Sequence, residues 1–292
     1  MTRALNRVAK RVAILVGCAG FVALGVFAER SEPNPEPRIA FLSVGQGDCT
    51  VVVAESRTIL IDAGPANERT NGAARFVVPA LYGMGVKTLD LVLITHPDAD
   101  HMGGLAALAR RFKIGKVGLG ARFADHPVAR QFLNEAGIAP EQMWWINGEH
   151  EATAEPFKIR VRDAAPADAD DNDGSLFVHV QAGKGSALLT GDASIEMEGL
   201  VPPSWKAQVL HAGHHGSRTS TGDALLDRVR PQIVVVSCGR DNAYGHPHNE
   251  VLDRLRKRRI SVLRTDRQGH IEFRPGPDGL DKVAATRTWR DR

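Results

Sequence analysis

Cysteine is scarce, with three in 292 residues. Only Cys49 and Cys238 lie beyond the N-terminal segment, far apart, so they build neither a disulfide framework nor a cysteine zinc cluster. Each is expected as a small core residue, with one bridge open to the pair in an oxidising compartment. An excess of one charge sign is lacking too. Thirty-seven basic against 34 acidic side chains leave +3, too little to mark a nucleic-acid binder by bulk electrostatics. No internal repeat is visible. A phosphate-binding loop is absent, because in Gly183-Lys184-Gly185-Ser186 no hydroxyl follows the lysine and position 178 holds no glycine; the stretch reads as a hairpin turn. Residues 168–174, DADDNDG, fail as a calcium loop: the glycine falls one place late, and His179 stands where a bidentate glutamate belongs. They read as a solvated acidic loop.

What is present is an ordinary globular composition, 43% hydrophobic and 24% charged, in a chain long enough to bury a sizeable core. The first 28 residues stand apart. Arg3, Arg7, Lys10 and Arg11 precede an unbroken apolar run over 12–28, which fits an export signal or, at the short limit of bilayer-spanning length, a membrane anchor. Val26-Phe27-Ala28 offers a cleavage site, whereas Cys18 comes too early in the run for a lipoprotein box. The basic flank stays inside, so the body is expected outside the cytoplasm, periplasmic, secreted or anchored. Residues 29–37 form a proline-rich spacer.

Short β-branched runs at 38–45, 49–54 and 57–62 predict three consecutive strands. A helix is expected over 71–82 and a buried strand over 89–95. Helices at 104–112, 127–136, 224–229 and 251–259 alternate irregularly with strands at 157–161, 176–180, 187–190, 209–211, 233–237, 261–264 and 270–273. That order predicts stacked sheets with helices outside. A domain over 38–274 and a basic tail over 275–292 complete the organisation.

Residues 95–104, THPDADHMGG, leave the buried strand carrying His96, Asp98, Asp100 and His101. Four side chains of metal-binding type fall within six positions, on a loop that can turn them to one point. Gly103 and Gly104 are expected to permit a tight exit. A second apolar strand ends in Asp192, a carboxylate suited to bridge two cations, and a third ends in the imidazoles of VLHAGHHGS. Asp192 alone reads as a turn residue and a lone histidine as surface; their joint placement favours a metal pair. His246 and His248, in NAYGHPHN, are second-rank candidates, with a helix-capping turn as the equal alternative.

The ordered set FLSVGQGDC, LIDAGP, THPDADHMGG, NDGSL, LLTGD, GHHGSRTST and YGHPHNEVL resembles the metallo-β-lactamase-like domain of the ComEC family, which internalises DNA in competence. The resemblance covers about residues 38–274 and implies an α/β, four-layer αβ/βα sandwich, here preceded by the apolar signal or anchor segment. It further implies two divalent metal ions, Mn or Zn. His96 and Asp98 would hold the first, Asp100 and His101 the second, with Asp192 between them and His214 completing the second, or His215 in its place. Asp98 stands where the wider superfamily has a histidine, as in this branch. The superfamily's middle histidine is also absent, with Asn172, Asp173 or Ser175 near its place, and Ser43 replaces a frequent aspartate. A site poorer in imidazole favours manganese over zinc at the first position. The family's membrane channel is missing from the sequence, so a stand-alone domain and not the DNA pore is expected.

The expected activity is extracytoplasmic phosphodiester hydrolysis of DNA. Two cations about 3.5–4 Å apart would activate a bridging water, His215, His246 or His248 would protonate the leaving oxygen, and Arg218 would hold a phosphate. The catalytic set is thus Asp100, His215 and His248. The alternatives are a phosphoesterase for a small or cell-wall phosphodiester, and a non-catalytic DNA-uptake partner with a decayed metal site.

Overall fold

The computed structural model describes residues 36–66 and 72–283. The apolar segment 1–28 and nearly all of the 29–37 spacer lie outside these residues. No helix among the described residues is long and apolar enough to cross a membrane.

The described strands are, in chain order, β1 (Arg38–Phe41), β2 (Thr50–Val53), β3 (Thr58–Ile61), β4 (Thr88–Leu93), β5 (Lys113–Gly120), β6 (Met143–Ile146), β7 (Glu149–Ala154), β8 (Phe157–Arg162), β9 (Phe177–Ala182), β10 (Gly185–Leu189), β11 (Val209–His211), β12 (Ile233–Val236), β13 (Ser261–Arg264), β14 (Ile271–Gly276) and β15 (Gly279–Lys282). They form two sheets, β15-β14-β1-β2-β3-β4-β5-β6 and β13-β12-β11-β10-β9-β8-β7.

Alternation along the strands explains the layering. In β1, Ile39 and Phe41 face the second sheet, while Ala40 faces the opposite way. Ile59 and Ile61 of β3 join the core between the sheets with Phe157, Val178, Val180, Leu189, Val209 and Val235 from the other side. Outside the first sheet, Leu81, Leu105, Leu108 and Leu133 cover Leu60, Val92 and Val117 from the helices Val78–Gly83, Leu105–Ala109 and Pro127–Glu135. Outside the second, Leu226 and Val229 of Asp223–Val229 and Leu255 of Asn249–Lys257 pack with Trp205 on Leu188, Leu210 and Val234. Three core layers between four structural layers are the two-sheet α/β arrangement expected from the sequence. Cys49 and Cys238 are buried, free and in different layers.

Four strands lie outside the expected set: β5, β6, β7 and β15. The expected helix 71–82 starts as a π-helical turn, Ala73–Val77, before Val78–Gly83. The expected helix 104–112 is shorter, Leu105–Ala109, and a separate short helix, Ala99–Met102, precedes it within the ligand-bearing segment. Strands β14 and β15 carry the first sheet on to Lys282, so the stretch read as a tail from 275 contributes a hairpin.

The pairs β3–β4, β4–β5 and β5–β6 are parallel, as are β10–β11, β11–β12 and β12–β13. Parallel strands leave their C-terminal ends side by side, the edge at which α/β sheets place polar side chains for ligands.

Candidate metal centre

The centre is assembled from strand ends of both sheets. Asp62 follows β3 with a left-handed backbone, φ 60°, a conformation that aspartate tolerates better than most residues. Its buried carboxylate accepts hydrogen bonds from the Thr95 backbone N–H (2.8 Å) and the Thr95 hydroxyl (3.0 and 3.1 Å), and lies 2.9 Å from Nδ1 of His101. This anchors the imidazole through one nitrogen and turns the other, Nε2, toward Asp192 Oδ1 at 3.3 Å. A carboxylate behind a ligand histidine fixes its tautomer and raises its basicity.

His101 belongs to the helix Ala99–Met102, with Asp98 at its N-cap, and residues 94–97 connect it to the end of β4. Gly103 and Gly104 have ordinary helical φ values of −57° and −72°, so the expected tight turn is not their reason. A Cβ on Gly103 would lie 2.4 Å from the Ala99 carbonyl oxygen, and one on Gly104 would lie 2.1 Å from that of Ala63. Close packing of the loop on the Asp62 segment demands glycine there.

From the second sheet, Asp192 follows β10 and His215 follows β11. His214 and His215 both have positive φ, 48° and 55°, costly for non-glycine residues and maintained only where surroundings enforce it. His215 Nε2 stands 3.0 Å from Asp100 Oδ2 and 3.7 Å from Asp192 Oδ2, and its Nδ1 is 3.3 Å from Asp48 Oδ1.

Ligand atoms of Asp100, His101, Asp192 and His215 thus all lie within 4.8 Å of one another. Asp48, Asp62 and His101 make a second such group behind them. His214, with its side chain 30% exposed, stands 3.5 Å from Asp192 Oδ2 on the open side. His96 is fully buried, its Nδ1 near the hydroxyls of Thr95 (3.1 Å) and Ser175 (3.3 Å), its Nε2 3.7 Å from Asp98 Oδ2. Of the three residues near the missing middle histidine, Ser175 faces the centre, while Asp173 accepts a hydrogen bond from the Ser194 backbone N–H.

Burial of this many ionisable groups needs compensation. Burial opposes ionisation of Asp192, yet the charges of His101 and His215 hold its carboxyl well below the usual range. Burial likewise works against Asp100, but the His215 hydrogen bond and the His101 charge win, and its pKa falls to about 2. Burial disfavours protonation of His101 and His215; the carboxylates of Asp192 and Asp62 around the first, and of Asp192 and Asp48 around the second, raise both well above an ordinary histidine. Protons on two imidazoles do the work that a cation among these carboxylates would do. His101 Nε2, Asp192 Oδ1, His215 Nδ1, Asp48 Oδ1 and His96 Nε2 are buried without a hydrogen-bond partner. Native interiors rarely leave such atoms unpaired, and a divalent ion among Asp100, His101, Asp192 and His215 would take up His101 Nε2 and Asp192 Oδ1. The residues fit a metal.

His246 and His248 sit at the rim, ring centroids 4.8 Å apart, with His246 5.8 Å from His214 and 6.3 Å from His215. The Gln46 side chain spans from the Gly239 N–H, which it accepts at 3.1 Å, to His246 Nδ1 at 3.4 Å. His248 Nδ1 accepts the Arg218 backbone N–H at 3.1 Å. In the neutral form both imidazoles therefore carry their proton on Nε2. Burial, then the charges of His215, His248 and His214, lower the pKa of His246 to about 4.

Asp48 and Asp62 were given no role by the sequence reasoning, and His211, 3.6 Å from Asp48 and 2.8 Å from the Ser237 hydroxyl, was not singled out. A local signal existed for Asp62, which ends the apolar run 57–62, whereas Asp48 sits before the run 49–54, after Gly45-Gln46-Gly47.

Residues 42–240 match the family profile described as "Metallo-beta-lactamase superfamily". The chain is 32% identical over 261 residues to ComE operon protein 3 of Bacillus subtilis, covering 82% of this chain and 33% of that protein. To Competence protein ComA of Neisseria gonorrhoeae it is 33% identical, covering 90% and 35%, and to Recombination protein 2 of Haemophilus influenzae 31% identical, covering 88% and 31%. The chain spans about a third of the length of these relatives. Among solved structures, the metallo-beta-lactamase fold protein YhfI from Bacillus subtilis aligns with a TM-score of 0.51 at 14% identity over 78% of this chain and 96% of its own. A variant of CmlA beta-hydroxylase gives 0.54 at 15% over 84% and 55%. At these identities the likeness is one of fold.

Proposed function

The chain belongs to the metallo-beta-lactamase superfamily and is a ComEC-like member of it, and from that premise we propose that it is a metal-dependent phosphodiesterase acting on DNA. The observation that carries the reading is the cluster of Asp100, His101, Asp192 and His215, drawn from two sheets to within 4.8 Å, with buried donor atoms left unpaired. These four would hold one divalent ion, with His96 and Asp98 contributing to a second. Bound there, a metal supplies Lewis-acid polarisation of a phosphoryl oxygen and lowers the pKa of water. Carboxylate-rich donors suit a hard cation such as manganese.

The chain's own residues then have separable tasks. Asp62 keeps the His101 Nε2 lone pair pointed inward. His248, with Nδ1 occupied by the Arg218 N–H, presents an Nε2–H that can donate a hydrogen bond to a leaving oxygen and stabilise its developing charge. Arg218, whose side chain is 60% exposed and only loosely paired with Glu250 at 3.8 Å, would exchange that exposed pair for a phosphate. Asp100 pairs with His215 across the opening and sets its orientation. Similarity to competence proteins supports DNA as substrate and a role in its uptake. The basic-apolar leader supports action outside the cytoplasm, which fractionation of cells producing the tagged chain tests.

The full chain with manganese is expected to cleave single-stranded or duplex DNA, and Asp100→Ala to abolish cleavage. Undiminished cleavage by that variant removes the site. Turnover of bis(4-nitrophenyl) phosphate without DNA cleavage replaces the substrate with a smaller phosphodiester.

A further inference from the structure

Beside the metal centre runs a trough of two cavities, about 540 and 590 Å³, whose walls share Gly239, Arg240, Asp266 and Arg267. One end reaches His246 at the rim of the centre, and the other is floored by Phe76 and Met84. Its carboxylates are mostly neutralised. Asp266 is held by Arg264 at 2.7 and 3.0 Å, and Glu272 by Arg38 at 3.1 Å; Asp241 is the exposed exception.

Three cations of the trough have no carboxylate partner among the described residues. Arg240 reaches only the Asp266 carbonyl oxygen, at 3.4 Å. Arg75 lies over the Phe76 ring, 5.2 Å from its centroid. Exposed Arg267 has no side-chain partner among the described residues. A concave cationic rim over a partly apolar floor with an aromatic ring is the combination that holds a single nucleic-acid strand: guanidinium groups follow the phosphates, and bases rest on apolar and aromatic surface. The overall charge of +3 does not disclose this, because the positive potential is local.

We propose that this trough, from His246 past Arg240 and Arg267 to Arg75 and Phe76, is the track along which a single strand lies while its scissile phosphate sits at the metal centre. The inference rests on the nuclease reading for the identity of the occupant. A trough that ends at the catalytic rim suits a strand, whereas a flat anionic membrane reaches such a floor poorly.

The test uses the full chain with manganese and a labelled phosphorothioate oligothymidylate, which resists hydrolysis, titrated by fluorescence anisotropy at several salt concentrations. Arg240→Ala/Arg267→Ala is compared with the charge-matched Arg57→Ala/Lys113→Ala, which lies at the N-terminal ends of β3 and β5. The trough variant is expected to bind at least about tenfold more weakly. Its log K against log salt slope should shrink by about 1.4, roughly 0.7 for each phosphate that is no longer neutralised. The control variant should match the wild type in both. Equal affinity and slope for the two double variants overturns the track, as does loss of binding to phosphatidylglycerol vesicles with oligonucleotide binding unchanged. Trough-dependent binding without cleavage of ordinary DNA supports the track and removes the hydrolytic reading, so the two fail separately.

Discussion

Replacing Asp62 by asparagine tests the hydrogen-bond logic of the centre with the least change of shape. The carboxylate accepts from the Thr95 N–H at 2.8 Å and from its hydroxyl, and contacts His101 Nδ1 at 2.9 Å. An amide can present oxygen to only one side. If its oxygen keeps Thr95, its NH2 faces His101 Nδ1 and forces the imidazole proton onto Nε2, where a metal needs a lone pair. If the amide flips, its NH2 meets the Thr95 N–H. Either way a charge-assisted hydrogen bond is lost, costing about 1.5–3 kcal/mol. For a domain of this size that lowers the melting midpoint by about 3–12 °C. Losing the partner that orients a ligand histidine reduces metal affinity by about 10–100-fold. Thermal melting and calorimetric titration with manganese read the two effects on one sample. Thr95→Val separates them in degree, because it keeps the Asp62 carboxylate against His101 Nδ1 while removing a hydroxyl 3.3 Å from that nitrogen and 3.1 Å from His96 Nδ1: stability should fall, and metal affinity should fall less than in Asp62→Asn. A folded Asp62→Asn protein that binds manganese as tightly as the wild type refutes the tautomer argument.

The neighbouring imidazoles should differ in weight. His215→Ala is expected to lose more metal affinity than the 10–100-fold typical of an orienting partner, and His214→Ala less; the reverse order in the same titration transfers the ligand role to His214. In the metal-free protein, the depressed Asp100 carboxyl contributes stability above its ordinary pKa of 3.8, lost as pH falls through about 2. The raised His101 and His215 contribute stability that is complete below 6.5 and is lost as pH climbs through their elevated values. Denaturant melts of the chelated protein should therefore be most stable between about pH 4 and 6.5 with respect to this cluster. A stability rising steadily from pH 6.5 to 9 contradicts the charge assignment. Buried Glu198 accepts the backbone N–H groups of Thr221 (2.5 Å) and Gly222 (2.8 Å) beyond the double-histidine turn. Glu198→Gln sets a donor against one of them and should cost about 1–3 kcal/mol in urea unfolding; an unchanged midpoint contradicts that anchoring.

Much of this architecture was legible in the sequence because apolar periodicity and ligand-tipped strand ends are local signals. THPDADHMGG, LLTGD and the histidine turn were visible as three exits from apolar runs, and the structure brings Asp100, His101, Asp192 and His215 together. The missed strands had weak local patterns. Strand β5, KIGKVGLG, carries three glycines, which dilute strand propensity. Strand β7, EHEATA, is a largely exposed edge with charges that suit an edge and mask a strand. Asp62 was marked locally only as a strand end, and its role, like that of Asp48, depends on distant partners, 167 positions away for Asp48 and His215; no local pattern reports such a distance. The arginine trough was invisible for the same reason, since Arg75, Arg240 and Arg267 come from three remote segments.

The double-histidine turn belongs to one sheet and Asp62, Asp100 and His101 to the other, and no strand pairing among the described residues joins those sheets. An ion gripped from both sides acts as a rivet through a laminated beam. Sliding one lamina by a single residue would pull its donors out of range, so loading with metal doubles as a gauge of how well the two halves of the chain have docked. Stabilisation by the ion should then grow with its free concentration and appear chiefly as slower separation of the two sheets.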